Sequence, residues 1–313
     1  MNDTRTTVAI VIPVYNEEQV LPELFARLEA LFKAHGENAW RVVFVNDGSR
    51  DRTPDLVREQ GLRDLRFESV ELSRNFGFQS ALSAGLAHAK DADAVVTMDA
   101  DLQDPPELIP DLVAAWRGGA EVVRAVRASR QETGMRRMGF DLFHAVFGRL
   151  TDIKIEPNSG TFGLLGRPAL EAFAQLPERH RFFPGLRAWI GFTTADVSYD
   201  RQERAAGKPK QTFRRLVRYA VDGFFSFSYL PLRFLTYCGI AVSLLGFALG
   251  LYFVVKRLLG IETATTGFTT LVSLVTFLGG IQLIGIGVLG EYLGRVYDEV
   301  KQRPIYLVKP QRR

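Results

Sequence analysis

The sequence has a single cysteine, Cys238, and four histidines. A lone thiol forms no intrachain disulfide, and no His/Cys pairs stand at zinc-ligand spacing, which argues against both a stapled secreted scaffold and a zinc module. The glycine-rich phosphate loops of nucleotide enzymes are missing too. There is no GxxxxGK[ST], and no GxGxxG follows the first apolar run, so P-loop phosphoryl transfer and dinucleotide redox chemistry are disfavoured. A large excess of one charge sign is also absent: 39 Lys and Arg against 35 Asp and Glu leave a net charge of +4. That balance permits an anionic partner without naming it. The arginines gather beside apolar runs rather than along a solvated groove with stacking aromatics, which argues against nucleic acid. With 313 residues, 47% of them hydrophobic, wholesale disorder is excluded and there is room for roughly two domains.

The apolar residues are segregated along the chain. Residues 234–255 and 268–289 contain no charged side chain. A helix of that length, at ~1.5 Å per residue, is about 33 Å long, enough for a bilayer core. The short segment between them holds the turn formers, so the two spans are expected to form an antiparallel hairpin. The N-terminal apolar run 8–14 is interrupted by Pro13 and followed by Asn16, Glu17 and Glu18, unlike a signal peptide. Arg214, Arg215, Arg218 and Arg233 precede the first span, and Arg295, Lys301, Arg303, Lys309, Arg312 and Arg313 follow the second. The positive-inside rule then puts both termini and the soluble part on the cytoplasmic side of the membrane, in a multi-pass protein. Residues 212–233 mix arginines with Phe, Tyr and Leu, as does a helix lying among anionic phospholipid headgroups; an ordinary core helix is the alternative. The expected organisation is a soluble domain over 1–211, an interfacial segment over 212–233, a hairpin over 234–290 and a basic tail over 291–313. Gly246 and Gly250, with the glycines of the second span, allow close packing within the hairpin or between protomers of a homo-oligomer.

Residues 8–127 alternate β-branched apolar runs with amphipathic helical stretches. The runs VAIVIPV, RVVFVND, FESVEL, DAVVTMD and EVVRAV read as strands, with helices over EEQVLPELFARLEALFKAH, after Thr53, over 78–89 and over 105–116. Continuous apolar strands imply a sheet covered on both faces, hence a mostly parallel α/β sandwich. Ligands bind beyond the carboxyl ends of such strands. Polar clusters stand there: residues 13–18, Asn46-Asp47-Gly48-Ser49, and Asp99-Ala100-Asp101-Leu102-Gln103. An Asp-Gly after a strand serves equally well as a turn. Two carboxylates one residue apart after a buried strand repel each other unless a cation lies between them, and hard oxygen donors suit Mg²⁺ or Mn²⁺. Arg127, Arg201, Arg204, Lys208 and Lys210 offer positive charge for a diphosphate.

The segments IPVYNEE (12–18), VNDGS (45–49), SRNFGFQSALSAGL (73–86), MDADLQDPPE (98–107), RFFPGLRAWIGF (181–192), RQERAAGKPK (201–210) and GEYLGRVYDEVKQRPIYLV (290–308) carry a resemblance over nearly the whole chain. In that order they resemble the bacterial polyprenyl-phosphate glycosyltransferases, family-2 enzymes of GT-A fold related to dolichol-phosphate mannose synthase. The resemblance implies an α/β GT-A domain followed by amphipathic interfacial helices and a two-helix transmembrane hairpin. It also implies an inverting, metal-dependent enzyme that moves a sugar from a nucleotide-sugar, by analogy a UDP-sugar, to a polyprenyl phosphate such as undecaprenyl phosphate. The product would serve a cell-envelope glycan such as lipopolysaccharide.

Carried over by position, Pro13, Tyr15, Asn16 and Glu17 line the nucleoside pocket and Asp47 holds the base. Asp99 faces nucleotide and metal, and Asp101 and Gln103 complete the metal site. Arg127, Arg201, Arg204 and Lys210 neutralise the donor diphosphate or acceptor phosphate. Asp101, Asn158 and Arg127 are the candidate catalytic set. Lys208, Pro209 and Gln211 depart from the family pattern in the basic loop, where relatives usually have an acidic or small residue, Ser and Tyr, and Asn158 and Gly163 stand where relatives commonly have Asp and Arg. A phosphate monoester has a second pKa near 6, so its oxygen is already anionic at neutral pH and Asn158 need only position it. Two other readings compete: a non-catalytic or acceptor-switched membrane scaffold, which Asn158 and Gly163 favour, and a processive polysaccharide synthase, which the absence of QxxRW and the two spans disfavour.

Overall fold

The computed structural model describes residues 5–128, 156, 159–179, 181–200, 230–260 and 267–310, which form two compact units, one built on the N-terminal residues with the tail from Arg303 and one over 224–302. The first unit is an α/β sandwich on a seven-stranded sheet. In chain order its elements are β1 (Thr7–Val14), α1 (Leu21–Ala34), β2 (Ala39–Asn46), α2 (Thr53–Arg63), β3 (Phe67–Glu71), α3 (Phe78–His88), β4 (Ala94–Thr97), α4 (Ile109–Arg117), β5 (Val122–Arg127), β6 (Ser159–Gly166), α5 (Arg167–Ala174), α6 (Phe183–Trp189) and β7 (Thr194–Tyr199).

The sheet order is β3-β2-β1-β4-β6-β5-β7. All pairings are parallel except those of β6, which runs antiparallel to both β4 and β5. β1 lies at the centre, and every residue from Val8 to Val14 is buried. Its even-numbered side chains, Val8, Ile10, Ile12 and Val14, join Leu21, Leu24 and Leu28 of α1 in the main core. Phe25, Phe44 and Phe67 extend that core by edge-to-face and stacked contacts at 5.4–6.3 Å. α1 starts later than the periodicity of EEQV implies. Pro22 lies in its first turn, where its missing N–H is harmless, and the preceding residues form a turn in which the Glu17 carbonyl accepts from Val20 N at 3.0 Å.

The opposite face is closed by α3, whose apolar side is small. A Cβ at Gly85 would stand 2.3 Å from Val11 Cγ1 and 2.9 Å from Val45 Cγ2, so the helix backbone rests almost directly on the sheet. β6 and β7 escape the sequence pattern. SGTFGLLG has three glycines in eight residues, and at Gly163 a Cβ would come within 2.4 Å of the Val123 carbonyl oxygen, so glycine is what permits the close β5–β6 approach.

The second unit contains α7 (Leu230–Leu258) and α8 (Phe268–Lys301), with most of their large apolar side chains exposed. Among the described residues one stretch, Phe277–Lys301, is long and apolar enough to cross a membrane, and the apolar stretch Phe234–Leu249 of α7 is shorter. α8 continues without a break well past residue 289, where the apolar run ends in the sequence, and closes at Gln302 in a left-handed conformation (φ 48°).

Gly85→Val is expected to lower unfolding stability by about 2 kcal/mol or more, because two branched methyl groups would be forced between stiff β-branched neighbours. The thermal midpoint of the detergent-solubilised chain measures it; an unchanged midpoint contradicts the close α3–sheet contact.

Candidate active site

β1 and β4 are neighbouring parallel strands whose following connections lead toward opposite edges of the sheet. In such folds ligands bind at this switch point, in the crevice beyond the carboxyl ends of the strands. Pro13 closes β1, and Tyr15, Asn16 and Glu17 follow it as half-buried residues. Asn16 takes a left-handed backbone (φ 53°), which asparagine tolerates better than bulkier residues. Its N–H donates to Ser49 Oγ at 3.0 Å and its side-chain oxygen accepts from Arg50 N at 2.9 Å. Glu17 N donates to Thr53 Oγ1 at 2.8 Å, and Asn46 Oδ1 accepts from Ser49 N at 2.9 Å. The loops after β1 and β2 are therefore one hydrogen-bonded body.

Asp47, 3% exposed, ties that body to a third loop. Its Oδ1 accepts from Phe76 N at 2.7 Å and its Oδ2 from Gly77 N at 2.9 Å, at the N-terminus of α3. Burial pushes the Asp47 carboxyl up, and the two N–H groups and the Arg74 charge oppose the shift. Gly48 makes the contact possible: at φ 71° a Cβ would lie 2.7 Å from both Arg74 C and Asn75 N. NDGS thus combines a turn with a carboxylate that organises the next loop.

The second cluster follows β4. Asp99 is half-buried, and Thr161 Oγ1 donates to its Oδ1 at 3.3 Å. Asp101 Oδ1 accepts from Gln103 N at 3.2 Å, across Leu102, which is fully buried at φ 59°. A non-glycine residue held left-handed in this position is strained backbone, of the kind that gathers at functional sites. Asp104 is 1% exposed and accepts from Tyr199 OH at 2.5 Å, while Arg127 Nε donates to the same hydroxyl at 3.4 Å. Tyr199 therefore bridges cation and anion, and burial with the adjacent Asp104 carboxylate raises its pKa. Burial, then the carboxylates of Asp104 and Asp101, push Asp99 up to about 7, with the Thr161 hydroxyl and Arg127 pulling the other way.

The structure thus gathers Pro13, Tyr15, Asn16, Glu17, Asp47, Asp99, Asp101, Gln103 and Arg127 at the carboxyl edge of one sheet. Asn158, Arg201, Arg204, Lys208 and Lys210 lie outside the described residues. Asp104, Thr161, Arg187 and Tyr199 escaped the sequence reading. Asp104 sits within MDADLQD and was open to recognition; Thr161 and Tyr199 reach the site only because β6 runs antiparallel and β7 pairs Tyr199 opposite Arg127. Arg187 of α6 is 4% exposed and donates to Ser159 Oγ at 2.5 Å and Gly160 O at 3.1 Å. Its Nη1 lies 3.0 Å from the point a Gly163 Cβ would occupy, so a buried guanidinium lines β6 beside the glycine that departs from the family pattern.

The donor set fits a hard divalent cation. Two carboxylates and an amide oxygen on one loop, with a half-buried member that resists ionising beside its neighbours, are hard oxygen donors of the kind that suits such a cation. Among the described residues no three His, Cys, Asp or Glu side chains form a group able to hold a metal alone, so further ligands would come from bound phosphate or water.

Two predictions follow from this geometry. Gly48→Ala is expected to cost about 2 kcal/mol or more, since it combines a left-handed alanine with two backbone overlaps, and to speed amide exchange at Phe76 and Gly77; normal exchange there refutes the coupling. For metal-free protein, Asp99 binds a proton more tightly folded than unfolded. Its contribution is complete below pH 4 and is lost as pH rises through about 7. Asp99→Asn should flatten this decline of the thermal midpoint between pH 4 and 8, and an unaltered slope would refute it.

The glycosyl transferase family 2 model matches residues 9–173, and the model of the GtrB C-terminal hairpin matches 230–296. An uncharacterized glycosyltransferase of Synechocystis, sll0501, is 47% identical over 96% of this chain and 94% of its own. The uncharacterized glycosyltransferase YkcC of Bacillus subtilis is 40% identical over 96% and 93%. The SfII prophage-derived bactoprenol glucosyl transferase of Shigella flexneri is 40% identical over 98% of both chains. Its carboxylate-lined sheet edge thus lies within the matched region, and the chain belongs to glycosyl transferase family 2, its α/β unit being a GT-A domain.

Proposed function

We propose that the protein transfers a glycosyl group from a nucleoside-diphosphate sugar, with UDP as the preferred nucleotide, to the phosphate of a polyprenyl carrier such as undecaprenyl phosphate, with inversion at the anomeric carbon. The carrying observation is the Asp99–Asp101–Asp104 cluster at the carboxyl edge of β4, in a chain 40% identical over 98% of its length to a bactoprenol glucosyl transferase. Asp99, Asp101 and Gln103 would hold Mg²⁺ or Mn²⁺, which when bound stabilises the leaving diphosphate.

The loops after β1 and β2, with Tyr15, Asn16, Glu17 and Asp47, form the nucleoside side of the crevice. Arg127, held between Tyr199 and the carboxylate cluster, is placed to meet phosphate charge, with Arg201, Arg204 and Lys210 as further candidates. In the reaction a phosphate oxygen of the carrier forms a bond to the anomeric carbon as the bond to the donor diphosphate breaks, and the nucleoside diphosphate leaves. The attacking oxygen is ionised at neutral pH, so no general base is required and Asn158 serves by hydrogen bonding. The balance of the barrier falls to charge stabilisation and the juxtaposition of two anions.

The hairpin of α7 and α8 supports a membrane location, and the carrier's tail requires one. Among the described residues only Phe277–Lys301 is long and apolar enough to cross a membrane. Our reading of a multi-pass arrangement with the α/β unit on the cytoplasmic face therefore rests on the apolar runs and basic flanks of the sequence, each basic residue near the surface being attracted to anionic lipid by about 1 kcal/mol. The scaffold reading rests on Asn158 and Gly163. At Gly163 the tight strand contact and the neighbouring Arg187 give the glycine a structural reason, which removes half of that case.

Asp101→Ala is expected to reduce lipid-linked product at least about 100-fold while membrane insertion is retained. A panel of labelled nucleotide-sugars, incubated with purified protein, Mn²⁺ or Mg²⁺ and undecaprenyl phosphate and then extracted into organic solvent, names the donor. Equal turnover by wild type and variant would overturn the role of the cluster.

A further inference from the structure

The chain leaves α8 at Lys301, turns at Gln302, and from Arg303 onward belongs to the α/β unit. There it adds a short antiparallel strand at the open edge of β3. Leu72 and Val308 form the bridge, Ser73 N donates to Leu307 O at 2.8 Å, and Lys309 N donates to Glu71 O at 2.8 Å. On its other side Leu72 N donates to Asn46 O at 2.9 Å, so Leu72, fully buried, is clamped between β2 and the tail. The tail is held again at its start, where Arg179 Nη1 donates to the Arg303 carbonyl, and the charge of Arg181 reaches the half-buried Tyr306. Lys309 Nζ lies 3.8 Å from Glu71 Oε2, an exposed pair that adds little.

The position of this added strand sets its effect. Ser73, which gives a hydrogen bond to the tail, begins the loop whose Phe76 and Gly77 N–H groups grip Asp47. Only two residues, Arg74 and Asn75, separate the tail's hold from Asp47's, and these same two pack against Gly48. Without the tail, the chain just past β3 would end at an unpaired edge, and among the described residues the loop's remaining main-chain anchors would be those at Leu72 and Asp47.

We infer that residues 307–309 are positioning residues: the tail emerging from the second hydrophobic helix holds the 73–77 loop in the conformation that completes the nucleoside side of the site. This rests on the reading of that side as the donor-nucleotide pocket. It also gives the covalent link between hairpin and α/β unit a second task, since the segment leaving the hairpin is itself part of the loop's support.

Because main-chain atoms make the contact, the discriminating variants are Lys309→Pro, which removes the N–H donated to Glu71 O, and Lys309→Ala, which keeps it. The full-length protein in detergent is examined by hydrogen exchange of the 73–79 segment, by UDP titration with Mn²⁺, and by separate kcat and donor KM values. Lys309→Pro is expected to speed exchange at Phe76 and Gly77 and to weaken UDP binding and raise donor KM by roughly three- to tenfold, the scale of one backbone hydrogen bond, with kcat within about twofold. Lys309→Ala is expected to match wild type in every readout. Unchanged exchange in Lys309→Pro overturns the inference, as does faster exchange with unaltered UDP affinity, or an equal loss in Lys309→Ala. Wild type that binds neither UDP nor GDP would instead overturn the nucleotide reading, and the exchange data would still judge the tail's hold on the loop.

Discussion

Burying several carboxylates side by side is costly unless positive charge or donated hydrogen bonds offset their repulsion. At the end of β4 this cost is met only in part. Asp104 is satisfied by Tyr199, and Arg127 adds its charge through the same hydroxyl, but Asp99 is left with one long hydrogen bond from Thr161 and two acidic neighbours. Much of the remaining architecture serves to hold that arrangement: a rigid, fully buried β1 and β4, a strained Leu102, and two later strands that return across the sheet to supply Thr161 and Tyr199. The clustered carboxylates are the feature whose mutual repulsion a bound cation would relieve.

The nucleoside side is organised by a different economy. Its carboxylate, Asp47, already has each oxygen engaged by a backbone N–H, and the asparagines and Ser49 are similarly turned onto neighbouring loops. A pocket wall made from mutually bonded loops is pre-organised, so little conformational entropy is lost when a ligand arrives. The two sides thus differ in kind, one built of mutually hydrogen-bonded loops, the other of clustered carboxylates.

The departures from the family pattern read differently once the packing is visible. Gly163, which in the linear pattern stands in place of an arginine, is pressed against the Val123 carbonyl, and a guanidinium from α6 lies beside it. A change that looks like loss along the chain is, in three dimensions, a glycine that the close β5–β6 approach requires.

The amino-acid pattern alone determined the first five strands, the helices between them, the acidic loops at the strand ends and the apolar C-terminal helices, because each depends on periodicity, turn chemistry or local charge. IPVYNEE, NDGS and DADLQ were legible as polar segments at strand ends for the same reason. Tertiary structure alone decided that β6 enters antiparallel between β4 and β5, that Tyr199 lies opposite Arg127 from 72 residues away, and that the tail pairs with Leu72. Those outcomes depend on which backbone edges and side chains meet across long stretches of chain, and glycine-rich SGTFGLLG carries no period from which such meetings can be read.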